Sequence, residues 1–118
     1  MKINKELMKG STSILLLSLL SREDMYGYML VQRLKASSDH VFEMKEGTLY
    51  PMLHALENEG AVEAYWNEGD NGKKRKYYRI TPGGRRLLEE KKQEWRQYSR
   101  AVDKVIGFAL WGGGLCEG

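Results

Sequence analysis

The chain has 118 residues, a formal net charge of +3 and one cysteine, Cys116, which fits a single domain with an adequate core. Its longest apolar run, residues 14–20, is far below the about 20 residues of a membrane-spanning helix, so we expect no transmembrane segment and no membrane partner. A lone cysteine excludes an intrachain disulfide and fits a reducing cytosol, which predicts a cytoplasmic protein.

Positive charge is concentrated in the second part of the sequence. Residues 1–72 hold 7 Lys and Arg against 11 Asp and Glu, whereas residues 73–118 hold 12 against 5. The segment GKKRKYYRIT, residues 72–81, contains four consecutive cations. A local cationic patch indicates a polyanion or an anionic surface as partner, and a solvated basic segment without a partner is the plainer alternative.

Two helices are predicted in the first 40 residues. Apolar residues between Leu7 and Leu20 give the first, over about residues 4–21, one broad apolar face,. After the polar segment SRED, the residues Met25, either Met29 or Leu30, and Leu34 recur at helical spacing, and the polar residues 37–39 end this pattern. We therefore expect a second helix from about Met25.

A third helix is predicted to begin near Thr48. Its apolar residues recur at helical spacing, at Leu49, Met52, Leu53 and Leu56,. Gly60 follows where a left-handed residue ends a helix. With a start near Thr48, Pro51 falls in the first turn, where its missing N–H costs no hydrogen bond.

A β-hairpin is predicted next. Val62, Ala64 and Trp66 alternate onto one face of the segment AVEAYW, and NEGDNG has the composition of a turn,. In the returning strand Tyr78 and Ile80 share an alternate face.

A long last helix is predicted from Pro82 to about Leu110, with Thr81 as its N-cap. Apolar residues follow a heptad pattern, at Leu88, Trp95, Tyr98, Val102, Val105 and Ala109, interrupted by Lys91,. A helix this long after a complete small domain favours pairing with a second copy of the chain, and packing on the first helix of the same chain is the alternative.

Three helices followed by a two-stranded hairpin predict a mainly α winged helix-turn-helix fold, here with a long C-terminal dimerisation helix. We divide the chain into a DNA-binding domain at 1–82, the dimerisation helix at 83–110 and a flexible tail at 111–118. In such folds the third helix enters the DNA major groove and the hairpin, or wing, lies along the phosphate backbone.

The third helix leaves a compact and nearly uncharged surface outside, which predicts DNA contacts at Thr48, Tyr50, Pro51 and His54. For His54 the alternative is an ordinary exposed helix residue, and for Tyr50 it is partial packing against the second helix. In the wing, the residues predicted to meet phosphates are Lys73, Lys74, Arg75, Lys76 and Tyr77.

The segments EGTLYPMLHALENEGAVEAYW and GKKRKYYRITPGGRRLL, with YGYML in the second helix, resemble the PadR family of bacterial transcriptional regulators. The resemblance is to the short subgroup with a single C-terminal dimerisation helix, and it covers about residues 6–106. It implies a winged-helix homodimer that represses transcription at an inverted-repeat operator of double-stranded DNA. It also implies release by a small aromatic or cationic effector, or by another cue.

An effector pocket implied by this resemblance would lie between the first and last helices. Its candidate residues are Leu7, Ser13 and Ile14 of the first helix and Trp95, Tyr98, Ser99 and Val102 of the last. The alternative for Trp95 is an anchor of the dimer core.

The sequence shows no motif that is typical of an enzyme active site. His40, His54 and Cys116 form no motif with a nucleophile or metal, so we expect no catalysis, no cofactor and no metal site. The remaining alternative is a winged-helix module that binds protein or RNA without reading an operator, because a fold does not dictate a function.

Overall fold

The computed structural model describes residues 11–69 and 71–108. Its elements are α1 (Thr12–Leu20), β1 (Met25–Tyr26), α2 (Gly27–Ser37), α3 (Glu46–Asn58), β2 (Val62–Glu68), β3 (Lys74–Ile80) and α4 (Pro82–Ile106). This order confirms the predicted winged helix-turn-helix with a long last helix. The chain divides into two compact units, Met1–Leu88 and Glu89–Gly118.

Helix α1 supplies the centre of the core of the first unit. Leu16 and Leu17 have no exposed surface and Leu20 is 1% exposed. The predicted start of this helix before residue 11 lies outside the described residues. The helix ends at Leu20, and the N–H of Ser21 still bonds to the carbonyl of Leu17 at 2.9 Å.

The second helix begins two residues later than predicted, because Met25 and Tyr26 form strand β1 instead. These two residues pair with Tyr78 and Tyr77 of β3, and Met25 is fully buried. Its apolar side chain therefore supports a strand in the sheet as well as it would support a helix. The sheet has three antiparallel strands in the order β1-β3-β2, one more than the predicted hairpin.

Helix α3 begins at Glu46, two residues before the predicted start near Thr48. The carbonyl of Lys45, in extended backbone, accepts the N–H groups of both Thr48 and Leu49 at 3.0 Å. Pro51 is consequently the sixth residue of the helix, and the prediction that it lies in the first turn was wrong. Because proline has no N–H, the carbonyl of Gly47 receives no hydrogen bond from residue 51. Both residues are exposed, so solvent can satisfy that carbonyl,.

The predicted end of this helix is confirmed. Gly60 has φ of 79°, and its N–H bonds to the carbonyl of Glu57 at 3.0 Å. The N–H of Ala61 bonds to the carbonyl of Leu56 at 2.9 Å. This pair of bonds satisfies the last carbonyls of α3 and turns the chain into β2.

The hairpin keeps regular pairing along its whole length. Val62 lies opposite Ile80, Ala64 opposite Tyr78 and Trp66 opposite Lys76. The face that holds Val62 and Ile80 covers the core, but Trp66 on the same face is 67% exposed. The wing thus extends beyond the helices that cover its base.

Helix α4 starts as predicted. The Thr81 hydroxyl accepts the N–H of Gly84 at 2.9 Å and donates to the carbonyl of Gly60 at 2.6 Å,. Gly84 is buried, and a β-carbon there would overlap the carbonyl oxygen of Ala61. The first turn of α4 is therefore held tightly against the end of α3.

The last helix ends at Ile106, four residues before the predicted end. Gly107 has φ of 76°, and the N–H of Phe108 bonds to the carbonyl of Asp103 at 2.9 Å, which is a glycine-based helix end,. Ala109 of the predicted heptads, Cys116 and the predicted tail lie outside the described residues. A membrane-spanning helix would need a longer apolar stretch than any helix described here provides.

Candidate nucleic-acid interface

Helix α3 separates its residues cleanly into a buried and an exposed side. Leu49, Leu53 and Leu56 are 2% exposed or less. On the opposite side the structure leaves Thr48, Pro51 and His54 in solvent, beside Gly47 and Ala55. This exposed side carries small, polar and neutral groups, which allows close approach of the helix to another surface.

Tyr50 is placed differently from the other predicted reading residues. Its ring is half-buried against the first residue of α2, and a β-carbon at Gly27 would fall 2.7 Å from its Cζ. Burial raises the pKa of the Tyr50 hydroxyl, with smaller contributions from Glu46 and Tyr78,. Tyr50 therefore combines partial packing against α2 with an edge that remains accessible.

Charges of the wing also act on the Tyr50 hydroxyl of α3. The positive charges of Arg75 and Lys76 are close enough to the Tyr50 hydroxyl to act against the rise of its pKa. These two wing cations therefore lie near the N-terminal half of α3, although their side chains belong to opposite faces of β3.

Strand geometry divides the basic segment between two faces. Lys74 and Lys76 lie on the face of the sheet that covers the core, which we call the inner face, together with Trp66,. Arg75 and Tyr77 lie on the opposite, outer face. Lys73 precedes β3 in the turn, where its carbonyl accepts the N–H of Gly69 at 2.8 Å.

The outer face holds a cluster of three tyrosines. Tyr77 stacks on Tyr65 with ring centroids 5.7 Å apart and meets Tyr26 edge-on at 5.3 Å. The guanidinium of Arg75 lies 4.7 Å from the centroid of Tyr26, and that of Arg79 lies 4.5 Å from Tyr65. Cations over aromatic rings stabilise both partners, so this arrangement fixes the outward side of the wing.

A polar network ties this cluster to the segment before β1. The Tyr65 hydroxyl donates to the Asp24 carboxylate at 2.6 Å, and Arg79 contacts the same carboxylate at 3.5 Å. Its hydrogen bond to Asp24 is the main reason why the pKa of Tyr65 is raised, and burial adds to it. Sequence reasoning missed Asp24, Tyr65 and Arg79, although the register of the hairpin would have placed Tyr65 beside Tyr77.

Comparison with known protein families now decides the assignment. Residues 16–90 match the PadR-like family of transcriptional regulators, and this range runs from α1 into α4. The chain belongs to the PadR family. The resemblance noted in the sequence is thereby confirmed.

Individual PadR-type relatives match most of the chain. A transcriptional regulator of Mycobacterium tuberculosis is 32% identical over 98 residues, which are 83% of this chain and 88% of that protein. A PadR-family regulator from Eggerthella lenta has a similar structure, with 40% identity, a TM-score of 0.73 and 86% of each chain covered. A regulator from Clostridium thermocellum has 32% identity and a TM-score of 0.79 over 86% of this chain and 96% of that one.

The predicted effector pocket of this PadR protein stays a prediction. Leu7 lies outside the described residues, and Ser13 and Ile14 are half-buried on α1. On α4, Trp95 and Tyr98 are 49% and 64% exposed, with ring centroids 6.2 Å apart. The remaining two candidates, Ser99 and Val102, are half-buried.

No metal site stands out in the part of this PadR protein that the structure describes. Within residues 11–69 and 71–108, no three His, Cys, Asp or Glu side chains lie together as metal ligands would.

Proposed function

We propose that this PadR-family protein is a repressor that binds double-stranded DNA as a homodimer, with α3 in the major groove and the wing along the backbone. One observation supports the proposal: helix α3, whose exposed side holds Thr48, Pro51 and His54, leads directly into the hairpin whose strand β3 carries the cations. The charges of Arg75 and Lys76 also act on the Tyr50 hydroxyl of α3. A neutral reading surface and a cationic surface are therefore adjacent, as groove reading combined with phosphate binding requires.

The reading surface in this proposal consists of Thr48, Pro51 and His54, with the accessible edge of Tyr50. The Thr48 hydroxyl and the His54 imidazole supply hydrogen-bond groups that match base edges, and Pro51 offers an apolar contact for a thymine methyl group. Tyr50 contributes mainly by fixing α3 against α2, because its ring is half-buried there.

The wing supplies the charge. Lys73, Lys74, Arg75 and Lys76 leave residues 73–118 with a large excess of cations, and Tyr77 lies beside them. Their role in the proposal is to hold phosphates and set the position of α3, whereas the bases are read by α3 itself.

Dimerisation through α4 completes the proposal. Trp95, Tyr98 and Val105 follow the heptad pattern, and in the single chain they are 49%, 64% and 86% exposed. Pairing of two such helices would remove this apolar surface from water. Two copies related by a twofold axis present two reading helices about 34 Å apart, so the operator is an inverted repeat.

Release by an effector is the last part of the proposal. The exposed pair Trp95 and Tyr98 offers flat aromatic surface to a planar or cationic compound,. An alternative use of the same pair is the dimer contact itself.

The proposal is tested by selecting bound duplexes from a random pool with the full chain. We expect enrichment of an inverted repeat whose half-site centres are about 10 base pairs apart, or a multiple of that spacing. The enriched duplex is then competed with planar aromatic and cationic compounds. Failure of any duplex sequence to enrich, with retention of RNA instead, would favour the interaction module over the DNA-binding regulator.

A further inference from the structure

We propose that Trp66 is a DNA-contacting residue, and that it meets the duplex together with Lys74 and Lys76, which share the inner face of the wing with it. This inference rests on the proposed function and adds to it a contact that the basic segment alone does not indicate. It assigns DNA, and no other partner, to an exposed indole outside that segment.

The exposure of Trp66 is the first observation. Its neighbours on the inner face, Val62 and Tyr78, are 2% and 0% exposed, whereas Trp66 is 67% exposed. Among the described large hydrophobic side chains of the first unit, only Tyr28 shares such exposure, at 53%. Tryptophan is enriched where proteins bind partners and among the residues that contribute most to binding.

The charges around Trp66 are the second observation. Trp66 pairs across the strands with Lys76, and Lys74 follows two residues along the same face. The described residues of the two strands place one carboxylate on this face, that of Glu68 opposite Lys74. An indole between two lysines matches a nucleic-acid backbone, where C–H groups of the sugars alternate with phosphates.

Continuity with the reading helix is the third observation. The charge of Lys76 acts on the Tyr50 hydroxyl of α3, and Lys76 is paired across the strands with Trp66. The Nζ of Lys76 also lies 5.7 Å from the centroid of the buried Tyr78 ring, which holds the lysine at the base of the wing,. Lys76 therefore joins Trp66 to the surface beside α3 along the inner face, while Arg75 acts on the same Tyr50 hydroxyl from the outer face.

The contact we infer is apolar and therefore distinct from the lysine contacts. The indole lies flat against sugar or base edges at the rim of the groove, and its N–H is free to donate to an acceptor there. Removing it should weaken binding without changing the number of phosphates that are neutralised. Removing Lys76 should weaken binding and should also lower the number of phosphates that are neutralised.

The test compares Trp66→Ala and Trp66→Phe with Asn67→Ala as the matched control. Asn67 is the next residue of the same strand, is also exposed and lies on the outer face, opposite Arg75. Each full-length variant is titrated by fluorescence anisotropy against the selected duplex and against a random duplex of equal length, at several salt concentrations. Sedimentation and thermal unfolding are measured on the same samples.

We expect Trp66→Ala to raise the Kd for the selected duplex about tenfold at fixed salt, with the salt slope of the wild type. The Kd of Trp66→Phe should fall between those of the wild type and Trp66→Ala, and Asn67→Ala should bind as the wild type does. Lys76→Ala should lower the salt slope by about one for each lysine removed.

Three results separate the failure of this inference from the failure of the proposed function. Steep, salt-dependent binding by the wild type with equal binding by Trp66→Ala would overturn the inference alone. A wild type that ignores duplex DNA would overturn the proposed function as well. A change in sedimentation by Trp66→Ala would reassign Trp66 to a contact between copies of the chain and so overturn the inference.

Discussion

The ring of Tyr50 occupies the space that a side chain at Gly27 would need, so that the first residue of α2 and helix α3 meet through one side chain. A β-carbon at position 27 would lie 2.7 Å from Cζ of Tyr50 and closer still to the hydroxyl oxygen. Gly27 is buried at the point where β1 passes into α2. The absence of a side chain at Gly27 therefore sets how closely α3 approaches α2.

Gly27→Ala should consequently move Tyr50 and reduce the free energy of unfolding by about 1–3 kcal/mol, which is typical of overpacking. Chemical denaturation measures this value for Gly27→Ala, Tyr50→Ala and the double variant. Since the clash needs both side chains, Gly27→Ala should cost much less in the Tyr50→Ala background. Strictly additive effects would show that the two residues do not interact.

The two adjacent glycines at the start of α4 should respond in opposite directions to alanine. A β-carbon at Gly84 would overlap the backbone carbonyl of Ala61 and lie 2.8 Å from the Cγ1 of Ile80, whereas at Gly83 the nearest atoms are 3.6 Å away. We expect Gly84→Ala to lower the free energy of unfolding by about 1–3 kcal/mol. Gly83→Ala should leave it unchanged or raise it by up to about 1 kcal/mol, because alanine favours helix.

Thermal unfolding of the two glycine variants side by side checks this difference. Equal melting temperatures would mean that α4 does not start as closely against Ala61 as the structure shows.

Two tyrosines of neighbouring strands should differ when each loses its hydroxyl. Tyr65 donates to Asp24 at 2.6 Å, whereas the Tyr78 hydroxyl is buried and has no hydrogen-bond partner among the described residues. Tyr65→Phe should lower the free energy of unfolding by about 1–2 kcal/mol. Tyr78→Phe should raise it by about 1 kcal/mol, since an unpaired buried hydroxyl is unfavourable. Urea denaturation of both variants measures the sign of each effect, and the same sign for both would contradict the assigned hydrogen bonds.

The proposed dimer contact on α4 is tested by Trp95→Ala. If Trp95 lies in the dimer contact, sedimentation should show a shift toward monomer, because an apolar side chain that the partner covers has been removed. Gln97→Ala is the control, since Gln97 is exposed on the same helix, two residues along and on the opposite side,. An unchanged dimer for Trp95→Ala would place the contact elsewhere.

Local sequence chemistry predicted the ends of several elements well. Thr81 followed by Pro82 indicated the start of α4, and the Thr81 hydroxyl does accept the N–H of Gly84. Gly60 indicated the end of α3 and has the expected positive φ. Such signals act within four residues, so one sequence is sufficient to interpret them.

Features that depend on distant partners were predicted less well. Met25 and Tyr26 became a strand because β3, some fifty residues later, pairs with them. The bond between Asp24 and Tyr65 joins residues 41 positions apart, and no local pattern indicates it. The division of the basic segment between two faces could have been predicted, because the two-residue period of a strand alone separates Lys74 and Lys76 from Arg75.

The most direct test of the central claim is the salt dependence of duplex binding by the full chain. Two protomers that together engage about six to eight phosphates should give a plot of log association constant against log salt with a slope of about −5 to −7. The account predicts this slope for the selected duplex, together with a dimer in sedimentation. A flat response, with no duplex bound even in dilute buffer, would contradict it.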